Sequence, residues 1–105
     1  QLSEFDITQK IIESLSNVCT RSVLFSVKNE SKDVMQIADE LKISISTVYK
    51  TLSTLEDLAL AEIDRYVISP EGKKIKLYRS RIGKVEITLD DLEPTLMLHP
   101  NDSKN

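Results

Sequence analysis

Along the first sixty residues, apolar side chains recur at helical spacing; beyond them they fall at alternate positions. Ile11, Leu15 and Val18 stand at i, i+4 and i+7, with Phe5 and Ile12 as a second, adjoining stripe. This spacing predicts a first helix, with Asp6 or Thr8 available to cap it. A second helix is expected from Val18 or Thr20 to Lys28, with Val23, Leu24 and Val27 inward, and the polar run Asn29 to Lys32 ends it.

The stretch Ser31 to Leu60 is the most informative. Val34, Ile37, Ala38 and Leu41 share one helical face, and Ser31 or Asp33 can cap that helix. Lys42, Ile43 and Ser44 interrupt it. Ser44 or Ser46 then stands where an N-cap belongs, ahead of Val48, Leu52, Leu55 and Leu58 at helical spacing. Two helices joined by about three residues make a helix-turn-helix unit. Ala38 is small where the helices cross, Leu41 closes the first, and Ile43 tucks into the turn. Lys42 occupies the place where glycine is usual, so it needs a left-handed backbone or a different turn.

After Leu60 the period changes to two. Ala61 to Ile68 reads as a strand, Ser69-Pro70-Glu71-Gly72 as a turn, and Lys74 to Ser80 as the returning strand. Tyr66 and Tyr78 are expected to pack across this hairpin. Val85, Ile87 and Leu89 form a further alternating strand. Asp90-Asp91 reads as a turn, and Leu92, Leu96 and Leu98 as another short strand or a cap, interrupted by Pro94. The expected fold is α+β, a winged helix-turn-helix of three to four helices with a β-hairpin wing and a C-terminal β extension. Residues 1–83 form the winged domain, 84–98 the extension and a candidate dimerisation element, and 99–105 a frayed tail.

A chain of 105 residues, 40% hydrophobic and 30% charged, fits one small domain for which dimerisation would add stability. No apolar run approaches the roughly 20 residues of a membrane span, and the start lacks the basic-then-apolar order of a signal peptide. One cysteine, Cys19, cannot form an intramolecular disulfide, which favours a reducing, cytoplasmic setting. The net charge of −3 argues against nucleic acid, but its distribution does not. Gln1 to Leu41 holds four basic and seven acidic side chains, Lys42 to Lys84 nine and five, and Val85 to Asn105 one and five. A basic middle between acidic ends suits a one-faced phosphate footprint, although a solvated surface with chance clustering reads the same way.

The outer face of the second helix of the turn unit carries Ser46, Thr47, Tyr49, Lys50 and Ser53. Short donors, an aromatic and a cation suit base edges and phosphates in a major groove. Ser44 and Ser46 lie at its amino end, where backbone amides face phosphate. Ile45 either touches a thymine methyl or packs inward, and packing is the expectation. In the hairpin Lys73, Lys74, Lys76, Arg79 and Arg81 form the densest basic run. It is read as a wing lying along the DNA backbone or minor groove; the other reading is a hairpin edge protected by its lysines.

The segments IIESLSNVCTRSVLFSV, IADELKISISTVYKTLSTLEDLALAE and GKKIKLYRSRI resemble the ArsR-type winged helix-turn-helix regulators, and more narrowly the small ArsR-like regulators of archaea. The resemblance runs from about Ile11 to Ile82, with a less specific match to Leu98. It implies a homodimer on a roughly palindromic operator of double-stranded DNA, built from the Gln1–Val18 helix and the segment after the wing. It places Ser44, Ser46, Thr47, Tyr49 and Lys50 on DNA-reading positions. Two departures stand out. Asn17 to Arg21 replaces a proline-containing turn, and Val34 to Leu41 lacks the paired cysteines of the metal-sensing members.

Other chemistry finds little support. Cys19 reads as a buried structural cysteine, with a redox sensor as the alternative. His99 is a lone histidine, and Asp90, Asp91 and Glu93 read as solvated turn acids rather than a cation site. No phosphate loop or nucleophile motif suggests an enzyme, and no cofactor is implied. The expected function is a sequence-specific DNA-binding regulator. The alternative is a winged-helix adaptor for protein partners, and a small-molecule effector is left open.

Overall fold

The computed structural model describes residues 4–102, with side chains from Asp6 onward, so Phe5 of the expected second stripe lies outside the described side chains. Four helices precede two hairpins: α1 (Glu4–Ser16), α2 (Val18–Ser26), α3 (Val34–Leu41), α4 (Ile45–Asp57), β1 (Ala61–Ile68), β2 (Lys74–Ser80), β3 (Ile82–Thr88) and β4 (Thr95–Pro100). This is an α+β winged helix.

The break between α1 and α2 has a local cause. The Asn17 side-chain oxygen accepts from the Thr20 amide at 3.1 Å, capping α2. Arg21 donates to the carbonyls of Leu15 and Ser16 at 2.8 and 3.2 Å, closing the end of α1. Ile11 and Leu15 are buried, but Val18 begins the new helix and is 65% exposed, so it does not extend the α1 stripe. Cys19 is half-buried, not the buried cysteine expected.

Asp33, not Ser31, caps α3. Its side chain accepts from the Gln36 amide while the Gln36 side chain accepts from the Asp33 amide, a reciprocal capping box. Ser31 instead donates to Asp64 at 2.6 Å, tying the loop before α3 to β1. Lys42 closes α3 in the left-handed conformation, φ 57°, and the Ile43 amide reaches back to the Ala38 carbonyl at 3.1 Å. The turn therefore keeps the glycine geometry with a lysine in it. Val48, Leu52 and Leu55 of α4 meet Val23, Leu24, Val27, Ile37 and Leu60 in one core.

β1 and β2 pair antiparallel around the Ser69–Gly72 turn, where Gly72 takes φ 84°. Their register shifts between Ile63 and Arg65. Tyr78 faces Ile63 and Tyr66 faces Lys76, which sets the two tyrosines diagonally on one face of the hairpin and not directly opposite. Lys32 adds a short bridge to Tyr78, each amide donating to the other's carbonyl, at 3.1 and 2.8 Å.

The second hairpin starts at Ile82 and ends at Pro100, beyond both expected boundaries of the extension. Its strand β3 stops at Thr88, leaving Leu89 in the turn and 74% exposed. Gly83 lies at a register shift, where an added Cβ would stand 3.3 Å from the Pro100 carbonyl oxygen. The tail does not fray from His99. His99 pairs with Lys84, and the Asn101 side chain donates to the carbonyls of Lys28 and Ser80 at 2.8 and 2.9 Å. Residues 103–105 of that tail lie outside the described set. Among the described residues, no helix is long and apolar enough to cross a membrane.

Candidate nucleic-acid interface

Two elements carry the residues singled out from the sequence. On α4, at 100° per residue, Val48, Leu52 and Leu55 point into the core and Ser46, Lys50, Ser53 and Asp57 point away from it. Tyr49 lies on the flank of that outer face turned toward the wing and is 58% exposed. Asp57, together with the exposed Glu56, makes the carboxyl end of α4 acidic. Approach of a polyanion is therefore favoured over the first two turns only.

The amino end of α4 is organised by its own hydroxyls. The Ser44 hydroxyl accepts from the Thr47 amide at 3.1 Å and donates to the Thr47 hydroxyl at 2.8 Å. It also lies 3.2 Å from the Ser46 hydroxyl. Ser44 and Thr47 thus hold the helix in shape, and Lys50 and Ser53 are the more outward groups. Ile45 is 40% exposed, so the inward packing expected of it is incomplete.

In the wing, alternation puts Lys74, Lys76 and Tyr78 on one face of β2 and Ile75, Leu77 and Arg79 on the other. Tyr78 is buried, and burial first and then the Glu56 carboxylate hold its phenol above the usual range. Lys74 and Lys76 remain exposed, and the Lys74 ammonium lies 4.4 Å from the centre of the Tyr66 ring. Lys73, Lys74, Lys76 and Tyr49 line a common open cleft of about 430 Å³ with Asp33, Val34, Met35, Ile75 and Tyr78. The fold therefore brings one flank of α4 and three wing lysines to one concavity. Arg79 is half-buried on the far face of β2 and does not join them. Arg81 is also apart, 3.8 Å from Glu62.

Sequence reasoning misses the cleft, and with it the part of Met35, which is 64% exposed at the start of α3. Periodicity signals neither, because both depend on how the wing folds back beside α3. The alternation that separates Arg79 from Lys74 and Lys76 is present in the sequence. Among the described residues, no three His, Cys, Asp or Glu side chains come together as a metal site.

No family model matches the chain. An uncharacterized HTH-type transcriptional regulator of Methanocaldococcus jannaschii is 33% identical to it over 66 residues, which cover 63% of this chain and 70% of that protein. With the capped α3, the left-handed turn at Lys42 and the outward polar face of α4 already in place, this similarity completes the assignment. The chain belongs to the HTH-type transcriptional regulators.

Proposed function

We propose that this protein is a DNA-binding transcriptional regulator of the ArsR-like winged-helix type, acting in the cytoplasm as a homodimer. The observation that carries the reading is the shared concavity, in which the outer flank of α4 and three wing lysines face the same space. A major groove is wide enough to admit α4 amino end first. Ser46, Tyr49, Lys50 and Ser53 then meet base edges, with Ser44 and Thr47 shaping the helix end. Lys73, Lys74 and Lys76 hold the adjacent sugar–phosphate strand, supplying affinity without sequence choice. Arg79, on the far face of β2, is peripheral to this surface.

The chain divides functionally into the winged domain and the β3–β4 hairpin, and the hairpin with α1 forms the dimer contact. Support for this comes from the apolar face of the hairpin, where Ile87, Leu89 and Leu98 are 43%, 74% and 37% exposed. Val85 and Ile87 also border an open groove with Leu15 and Phe25 at the α1–α2 junction. An adaptor for protein partners is disfavoured by the polar outer face of α4, since a helix laid into a partner's groove presents apolar anchors.

The test is fluorescence anisotropy of the protein with its own upstream DNA and with a scrambled duplex over a salt series. Tighter binding to the upstream duplex at physiological salt is expected. Lys50→Ala should weaken specific binding more than non-specific binding. Lys74→Ala with Lys76→Ala should weaken both alike and reduce the salt slope by about two, one for each phosphate no longer neutralised. A double variant that binds like wild type at every salt would contradict the role given to the wing.

A further inference from the structure

We propose that Ile45 reads a thymine methyl group at one fixed position of each half-site, an inference that rests on the DNA-binding role of α4 proposed above. Ile45 is the first residue of α4 and directly follows its N-cap, Ser44. There its side chain is 40% exposed, so part of it faces solvent at the leading end of the helix.

Its neighbours define what this end of the helix can recognise. The hydroxyls of Ser44, Ser46 and Thr47 form a chain centred on Ser44, with links of 3.2 and 2.8 Å. The Ser44 hydroxyl also takes the Thr47 amide. Ser44 is thereby committed within the protein, and Ile45 adds aliphatic surface to the amino end of α4 beside the Ser46 hydroxyl. On the floor of the major groove, the C5 methyl of thymine is the one apolar group that a base presents. An exposed isoleucine at the leading end of a helix entering that groove therefore favours thymine over cytosine, which offers only hydrogen there. One turn further on, Tyr49 and Lys50 supply the polar contacts to neighbouring positions.

The test begins with selection of binding duplexes from a random library by the full chain, which yields an enriched motif. Each thymine of that motif is then replaced in turn by deoxyuridine, which removes the methyl group and leaves base pairing intact. At one thymine per half-site, the replacement should lower wild-type affinity about fourfold, the factor expected for burying one methyl-sized group. With Ile45→Ala the same replacement should change affinity less than about 1.5-fold, because the partner of the methyl is gone. Wild-type indifference to uracil at every thymine overturns the proposal. So does a penalty that persists undiminished in Ile45→Ala, since another group would then be reading the methyl. Failure of the underlying DNA-binding role looks different: no motif enriches at all.

Discussion

Replacing Asn101 tests how the second hairpin is joined to the winged domain. The Asn101 amide group donates to the carbonyls of Lys28, just past α2, and Ser80, the last residue of β2. Its backbone amide donates to Arg81 at 2.9 Å. Nearby, the Ser80 amide reaches Val27 at 3.0 Å and the Arg81 amide reaches Leu60 at 2.8 Å, so the end of α2, the wing and the chain after β4 meet in one knot. Asn101→Ala removes both side-chain bonds and takes a donor from the carbonyls of the buried Ser80 and the half-buried Lys28. At about 1 kcal/mol per bond, the loss is about 2 kcal/mol. For a domain of this size that lowers Tm by about 8–16 °C. In urea, with a slope of about 1.5 kcal/mol per molar, the midpoint falls by roughly 1 M. Asn101→Asp should be worse than alanine, because it sets a carboxylate oxygen against two carbonyl oxygens. The exposed neighbour serves as the control: Asp102→Ala should stay within about 0.5 kcal/mol of wild type. Urea melts followed by far-UV circular dichroism give all four values. An Asn101→Ala loss below about 0.5 kcal/mol, or an aspartate variant more stable than the alanine one, would refute the clamp.

Three further outcomes are expected. Lys42→Gly should raise stability by about 0.5 kcal/mol: relief of the left-handed Cβ strain exceeds the added freedom of the unfolded chain, and the exposed 3.8 Å pair with Asp39 contributes little. A fall in Tm would show that the turn at Lys42 is not left-handed. Leu98→Glu, on the part of the apolar β3–β4 face that the core leaves accessible, should convert a dimer to a monomer in light scattering with an unchanged circular dichroism spectrum. An unchanged mass would locate the dimer contact elsewhere. Glu86 accepts from His99 at 3.0 Å and pairs with Lys84 at 3.2 Å, and these bonds hold its carboxyl below the ordinary 4.5. A lowered carboxyl pKa supports the fold above the ordinary value and loses that support as pH falls through the lowered one. His99→Ala should move the Glu86 titration, read by carboxyl carbon NMR, up toward 4.5; an unmoved titration would show that the pair is not formed.

The parts of the fold that rest on periodicity are legible in the sequence. The bounds of β1 and β2 follow from alternation between clear turn residues, and the inward face of α4 follows from Val48, Leu52 and Leu55. The special backbone at Lys42 is also legible, because the turn demands it whatever residue stands there. Competing local choices are not. Ser31 and Asp33 are both good caps, and the contest is settled by Gln36, three residues after Asp33, and by Asp64, far along the chain, which takes Ser31. Long-range features leave no local trace. The shift near Asp64, the Lys32–Tyr78 bridge and the Asn101 clamp each join segments that only the folded chain brings together. The same division runs through the candidate site. The outward residues of α4 are legible, and so, by alternation, is the separation of Arg79 from Lys74 and Lys76. The use of Ser44 and Thr47 as helix-shaping groups, the exposure of Ile45 and the cleft shared with the wing require the three-dimensional arrangement.

In the proposed function α4 and the wing face DNA together, and amide NMR of the 11.9 kDa protein titrated with a duplex selected by its own binding would show it. Shifts should concentrate at Ser46, Tyr49, Lys50 and Ser53 and along Lys73 to Lys76, with weak effects at Arg79 and on the face of β3–β4 that carries Lys84 and Glu86. Shifts confined to the second hairpin, or spread evenly while α4 stays silent, would contradict it.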